Sequence, residues 1–339
     1  MEQRKKDHID LAFQSQTLID NIDKRFYYEP LLSPHPSGFP TTYELNGKTM
    51  KVPVWVSSMT GGTELAEKIN SNLAKACRKY GMGMGLGSCR IILDDETYFH
   101  QFDVRELIGD DLPLYANLGI CQVEELVADK AINKIEKLVE RLRADGLIIH
   151  VNPLQEWFQP EGDRIIRPPL ETVKDVLEQT QLNIIVKEVG QGMGPESLRE
   201  LLKLPVEAIE FAAFGGTNFA KVELSRSNEF RRQLYEPLSK IGNDAYSMME
   251  NINTIYEEGA DIQCKNIIVS GGIKTFLDGY YFLKKSKIPA IYGQASTFLK
   301  YAKESYEALD EFLAYQIKGL ELAYAYLTIK DNILLPGLE

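Results

Sequence analysis

His150, Asn152, Gln155 and Glu156 lie within the run HVNPLQE and bring together an imidazole, two amides and a carboxylate. An imidazole can carry a proton near neutral pH, and amides orient polar groups. A lone carboxylate suits Mg2+, which typically takes one or two such ligands and completes its shell with water and substrate phosphates. Lys187 ends the apolar run NIIVK. A buried lysine is costly unless it meets negative charge, so it reads either as half of a structural ion pair or as a cation facing an electron-rich cofactor ring. The segments SGGIK (270–274) and YGQAS (292–296) each lead towards a helical pattern. Glycines let backbone N–H groups approach an anion, and a helix start favours negative charge. One Gly pair would read as a tight turn; two such loops, carrying Gly271, Gly272, Gly293 and Gln294, read as a phosphate cradle. Arg4, Lys5 and His8 make a cationic patch on an acidic chain. It reads as a solvated tail or as an arm closing over a polyanion, with Arg90 as a further fork-like donor.

These residues need a frame that gathers them. Short apolar runs at 54–58, 82–86, 114–118, 147–151, 184–189, 208–212, 267–270 and 290–293 read as strands. Helical patterns fall between most of them, for instance at 63–79 and 123–144, and a last one covers 302–327 with Leu309, Phe312, Leu313, Ile317, Leu320 and Ala323 on one stripe. The alternation predicts an α/β chain, a (β/α)8 TIM barrel, whose functional groups belong at the carboxyl ends of the strands. A doubly wound open sheet is the competing topology; the uniform rhythm of both halves favours closure. SSMTGGT, GLGSCR, ANLG, HVNPLQE, KEVGQGMG, FGGTNF, SGGIK and YGQAS then all sit at one mouth. Residues 1–50 form an N-terminal extension with the candidate arm, and 51–339 form the barrel domain. Residues 215–243 are a long connection after the sixth strand, read as an active-site cover or a disordered segment.

Composition narrows the classes. Of 339 residues, 38 are Lys or Arg and 49 are Asp or Glu, a net charge of −11, which disfavours a nucleic-acid backbone as partner. No run approaches the ~20 apolar residues of a membrane span, and the start lacks an apolar signal core. Cys77, Cys89, Cys121 and Cys264 contain no Cys-x-x-Cys pair. A reducing cytoplasm with free thiols and no structural zinc is therefore expected.

The pieces RKKDHI, SSMTGG, GSCR, ANLG, HVNPLQE, VKEVG, GGTNF and SGGIK, in that order, resemble the flavin-dependent type 2 isopentenyl-diphosphate isomerases over nearly the whole chain. The resemblance implies a barrel carrying FMN, with Mg2+ and a reductant such as NADPH, that interconverts isopentenyl and dimethylallyl diphosphates. Reduced FMN would serve as acid and base without net electron transfer. It further implies that Ser58, Met59, Thr60, Ser88, Asn117, Lys187, Thr217, Gly271 and Gly272 contact FMN, with Gly293 and Gln294 at its phosphate. Arg4, Lys5, His8, Ser88, Arg90, Asn152 and Gln155 would face the substrate, and Glu156 would hold Mg2+. Gln155, His150 and Lys187 are the expected catalytic groups, Trp157 and Phe219 are expected to line the apolar tail's pocket, and a homo-oligomer (tetramer or octamer) is expected. Two departures are visible: Lys274 stands where Arg is expected, and FAAFGGTN is bulkier than the usual glycine-richer run, which loosens the assignment of Thr217. An FMN oxidoreductase resembling the 2-hydroxy-acid oxidases is the alternative, but those enzymes use a base, usually His, after the sixth strand, and no histidine follows His150. A non-catalytic flavin- or phosphate-binding barrel is a third reading, which His150, Gln155 and Glu156 disfavour.

Overall fold

The computed structural model describes residues 2–58 and 61–330. Eight parallel strands close into a barrel in chain order: β1 Val54–Val56, β2 Gly83–Gly85, β3 Leu114–Gly119, β4 Gly146–His150, β5 Asn183–Lys187, β6 Ala208–Glu210, β7 Asn266–Val269 and β8 Ala290–Gln294. The open-sheet alternative is thus excluded, since β8 pairs with β1 through Gly293↔Trp55.

Side chains alternate across each strand, and the sequence obeys that period. One set, including Val54, Val56, Leu114, Ala116, Leu147, Ile149, Ile184, Val186 and Ile267, packs outward against the helices. The other set, Trp55, Tyr115, Ile148, Ile185, Ala208, Ile268 and Ile291, fills the barrel interior. Two residues further along each strand, the next inward layer comprises Ser57, Gly85, Asn117, His150, Lys187, Glu210, Ser270 and Gly293. The interior therefore changes from apolar to polar within one step along the strands, and that step defines the floor of the mouth.

The opposite end is shut. A hairpin of Tyr43–Leu45 and Lys48–Met50 inserts Leu45 and Met50 into the inner cluster. Its turn is fixed by Asn46, whose backbone N–H donates to Glu207 Oε1 at 2.7 Å and whose side chain donates to the Asp145 carbonyl at 2.9 Å. A second ribbon pairs Phe26–Tyr28 with Leu327–Ile329 and fastens the N-terminal extension to the end of the last long helix.

The first barrel helix, Glu64–Tyr80, shows how local signals set boundaries. Thr63 caps it by accepting from the Ala66 N–H at 3.1 Å, and Gly81 ends it in the left-handed region at φ 72°. Two expected single helices are broken. The stretch 123–144 is part of two helices, Ile120–Ala128 and Asn133–Arg141, separated by Lys130 at φ 56°. The stretch 302–327 is interrupted at Ser305, which is extended and caps Tyr306–Tyr326 by accepting from the Ala308 N–H. The long connection 215–243 is largely helical. Phe219–Arg226 and Glu229–Ser239 are capped by the side chains of Asn218 and Asn228, and Ala220 and Leu224 pack on Phe158. Of the two readings of that segment, an ordered cover is the one observed.

Candidate active site

Two contiguous clefts open above the polar layer. One is lined by Ser57, Ser58, Lys187, Glu210, Thr217, Ser270, Gly271, Gly272, Gly293 and Gln294, among others. The other is lined by Ser58, Ser88, Asn117, His150, Gln155, Lys187, Val189 and Phe219, among others. Ser58, Lys187, Val189 and Phe219 border both. The clefts thus form one elongated site, with Lys187 and Phe219 at its waist.

Lys187 ends β5 and is 6% exposed. Its ammonium donates to the Glu188 carbonyl at 2.7 Å and forms no carboxylate ion pair among the described residues. The structural ion-pair reading is therefore not realised, and the charge is left facing the cleft. Glu188 instead accepts from the N–H groups of Gly190, Gln191 and Gly192 at 2.6–2.9 Å, which folds the loop after β5 around its carboxylate. Burial raises its pKa, opposed by those three N–H groups and Lys187.

His150, at the end of β4, binds Asn117 Oδ1 through Nδ1 at 2.7 Å, while Asn117 Nδ2 donates to the Leu86 carbonyl at 3.0 Å. The Asn117 orientation makes its oxygen the acceptor, so the proton sits on Nδ1 and leaves a lone pair on Nε2. Burial, and then the nearby Lys187 charge, push the imidazole down to about 3. It is a neutral hydrogen-bonding group at physiological pH.

Asn152 is buried and gathers the next elements. Its Nδ2 donates to Gln155 Oε1 at 3.2 Å and to Glu156 Oε1 at 2.9 Å, both on the short helix Pro153–Phe158. Glu156 Oε2 accepts from the Asp163 N–H at 2.9 Å, and Asp163 in turn clasps Arg90 at 2.6 Å and accepts from Gln122. Asn152 therefore acts from beneath, holding Gln155 and Glu156, rather than lining the cleft. Each Glu156 oxygen keeps a lone pair beyond its one hydrogen bond. No cluster of three metal-ligating side chains occurs among the described residues. A cation here would have this one carboxylate and take its other ligands from substrate and water, as the sequence implies for Mg2+.

The two glycine loops differ from the expected pair. Gly271 and Gly272 have φ of 84° and 75°, and a Cβ on Gly271 would lie 2.2 Å from the Ala213 backbone. The helix after that loop, Phe276–Lys285, already spends its first donors: Thr275 and Asp278 form a capping box, and Asp278 also accepts from the Lys274 N–H. Lys274 itself is exposed and lies off the cleft lining. By contrast, Ser296–Glu304 has no side-chain cap, and Ala295, Ser296 and Thr297 line the cleft. The helix start left without a side-chain cap at the cleft is thus the one after β8, beside the Gly271–Gly272 turn. Gln294 donates to the Ile273 carbonyl and accepts from Gln316, so its side chain braces the neighbouring elements.

Among the sequence-predicted residues, Ser58, Ser88, Asn117, His150, Gln155, Lys187, Thr217, Gly271, Gly272, Gly293 and Gln294 are brought together. Met59 and Thr60 lie outside the described residues. Arg4, Lys5 and His8 sit on an exposed helix, Glu2–Ala12, away from the lining, and Arg90 and Glu156 stand beside it. Trp157 does not line the pocket: it is half exposed beneath the Arg164 guanidinium at 4.6 Å, while Phe219 does line it. Ser57 and Ser270, the first residues of the mouth segments SSMTGGT and SGGIK, line the cleft, and Glu210 lines it from a run that reads as core; the inward alternation carried one step past Trp55, Ala208 and Ile268 points to all three.

The buried floor is under-satisfied: Ser57 Oγ, Ser58 Oγ and Glu210 Oε2 on the lining, and Asn152 Oδ1 beneath it, have no partner among the described residues. Native interiors rarely leave such atoms unpaired without a ligand or water. Orphan acceptors and hydroxyls, a buried cation and a glycine turn at one end together fit a polar, phosphate-bearing cofactor.

Two curated isopentenyl-diphosphate delta-isomerases, from Rickettsia felis and Rickettsia africae, are 33% and 34% identical to the chain, each covering 97% of it and 94–95% of the relative. The chain belongs to the isopentenyl-diphosphate delta-isomerase family. The resemblance read from its motifs is thereby borne out. No family model matches the chain. Among solved structures, a flavocytochrome b2 variant superposes with a TM-score of 0.59 at 14% identity, over 88% of this chain and 71% of that one. A mandelate oxidase variant with an FMN adduct superposes at 0.56 and 13%, over 91% and 89%. At that identity these share the barrel fold with this chain.

Proposed function

We propose that this chain interconverts isopentenyl and dimethylallyl diphosphates, with FMN in the elongated cleft. The full-length identity to the Rickettsia isomerases is the observation that most supports this reading. Bound in its reduced form and regenerated in each cycle, FMN would supply the acid–base group for a double-bond shift, with NADPH needed only to reduce it.

The chain's own residues then have separable tasks. Lys187, without a carboxylate ion pair among the described residues, stabilises negative charge on an electron-rich ring. His150, neutral and locked by Asn117, offers a fixed lone pair without adding a second positive charge beside Lys187. Gln155, steadied by Asn152, positions or relays a proton. Glu156 orients Mg2+ and, with Arg90, immobilises the diphosphate; Arg4, Lys5 and His8 add charge once the arm reaches the mouth. Phe219 keeps the apolar tail in a dry wall. Proton transfer by positioned groups is typically worth ~10²–10⁴-fold, and orientation with water exclusion supplies more. No described helix is long and apolar enough to cross a membrane, and a cytoplasmic homo-oligomer, tetramer or octamer, completes the proposal.

The test is an oxygen-free assay with FMN, Mg2+, NADPH and isopentenyl diphosphate. Many product molecules per NADPH oxidised are expected. One-to-one consumption would indicate an oxidoreductase, and absence of product would reject the isomerase reading.

A further inference from the structure

On the FMN reading above, we propose that Glu210 holds the cofactor's polyol chain, accepting a hydrogen bond from one of its hydroxyls. β5, β6, β7 and β8 are consecutive in the barrel, and their last inward residues are Lys187, Glu210, Ser270 and Gly293. A ring at Lys187 and a phosphate at Gly271, Gly272 and Gly293 leave β6 and β7 beneath the part that joins them. In FMN that part is a ribityl chain, a row of hydroxyl donors.

Glu210 is fully buried yet lines the cleft. Its Oε1 accepts from the Ser270 hydroxyl at 3.1 Å, and Ser270 Oγ accepts from the Ala212 N–H at 2.9 Å, so this side of the carboxyl is held in place. Its Oε2 has no partner among the described residues. Lys187 is its register neighbour but gives its ammonium to the Glu188 carbonyl instead. A buried carboxyl oxygen with nothing to accept from is costly, and a ligand hydroxyl removes that cost. Ser57, also inward and unpartnered, lies on the far side of Gly293, where its Oγ would be 2.4 Å from an added Cβ. A polyol thus finds an acceptor and a hydroxyl along one floor.

The full chain, freed of flavin, is titrated with FMN, riboflavin and lumiflavin, following fluorescence; lumiflavin has the ring but no polyol. In Glu210→Ala, FMN and riboflavin should each bind roughly 10- to 100-fold more weakly, the range for a hydrogen bond to a charged group. Lumiflavin should bind within about twofold of the unaltered protein, since none of its atoms would meet Glu210. Equal binding of all three ligands by the variant would overturn the proposal, as would an equal loss for lumiflavin, which would put Glu210 at the ring or in the fold. Glu210→Gln keeps the shape and replaces the carboxyl acceptor by an amide, so it should show the same selectivity with a smaller loss, and a poorly folded Ala variant does not rescue or sink the idea. Failure of the unaltered chain to bind any flavin would overturn the FMN reading and this inference with it; normal FMN binding by both variants would overturn this inference alone.

Discussion

His150 sits in an environment far from that of water. Its pKa is depressed to about 3 by burial, then by Lys187, against about 6.5 in an unfolded chain. Between those values the unfolded state binds a proton that the folded state refuses, so stability rises with pH through that window. The contribution is complete above about pH 6.5 and is lost as pH falls towards 3. His150→Gln should flatten the decline in thermal midpoint between pH 7 and pH 4 relative to the unaltered protein; parallel curves would show that the imidazole titrates normally. Taking the difference cancels the opposite drift expected from Glu188, whose raised pKa favours the folded state on protonation. Glu156→Gln and Gln155→Ala should each lower turnover by at least about 100-fold, in line with loss of a positioned electrostatic or proton-handling group. Flavin absorbance should remain. Colourless variants would place these residues in the cofactor's seat instead.

The elements carry that site through turns that tolerate little change. Gly271→Ala would put a Cβ 2.2 Å from the Ala213 backbone at a φ of 84°. Its strain is of order 1–3 kcal/mol before any relaxation. The variant should show a lowered thermal midpoint and flavin affinity reduced more than tenfold; unaltered flavin binding would remove this turn from the cradle. Much of this level was legible in the sequence. Short apolar runs located every barrel strand to within about two residues, because buried parallel strands admit little else. The helix breaks were harder. Nothing in AINK or ADK announces a left-handed Lys130, whereas Ser305 three residues before Ala308 was a usable cap signal. The cover 219–239 was invisible as helix because only Ala220, Glu223, Leu224 and Ser239 of it are buried, too few to print a stripe. Glu210 was missed for a related reason: IEFAA reads as core, and only its position two residues beyond Ala208 turns it towards the mouth. Asn152 and Gln294 were found as site residues, but only coordinates separate a lining side chain from one that braces its neighbours.

Across the whole molecule, one end of the barrel is sealed by an apolar plug and the other is a polar floor roofed by helices, so ligands have one mouth to use. The helix Glu2–Ala12 contributes little to that body. Its described side chains are exposed, and its side-chain hydrogen bonds, such as Gln3 to Asp7, are local. Deleting residues 2–12 should therefore shift the thermal midpoint by no more than about 1 °C, as expected for an unanchored terminus. It should raise KM for isopentenyl diphosphate while leaving flavin binding intact. A large fall in midpoint would mean that the segment is structural; an unchanged KM would make it a solvated tail. On the proposed function this barrel moves hydrogen ions rather than electrons, and isotope incorporation separates the two. With the reduced, Mg2+-loaded protein in deuterated water, dimethylallyl diphosphate formed over many turnovers should carry solvent deuterium while NADPH stays at its starting level. Product free of deuterium, or formed only as NADPH is consumed, would contradict it.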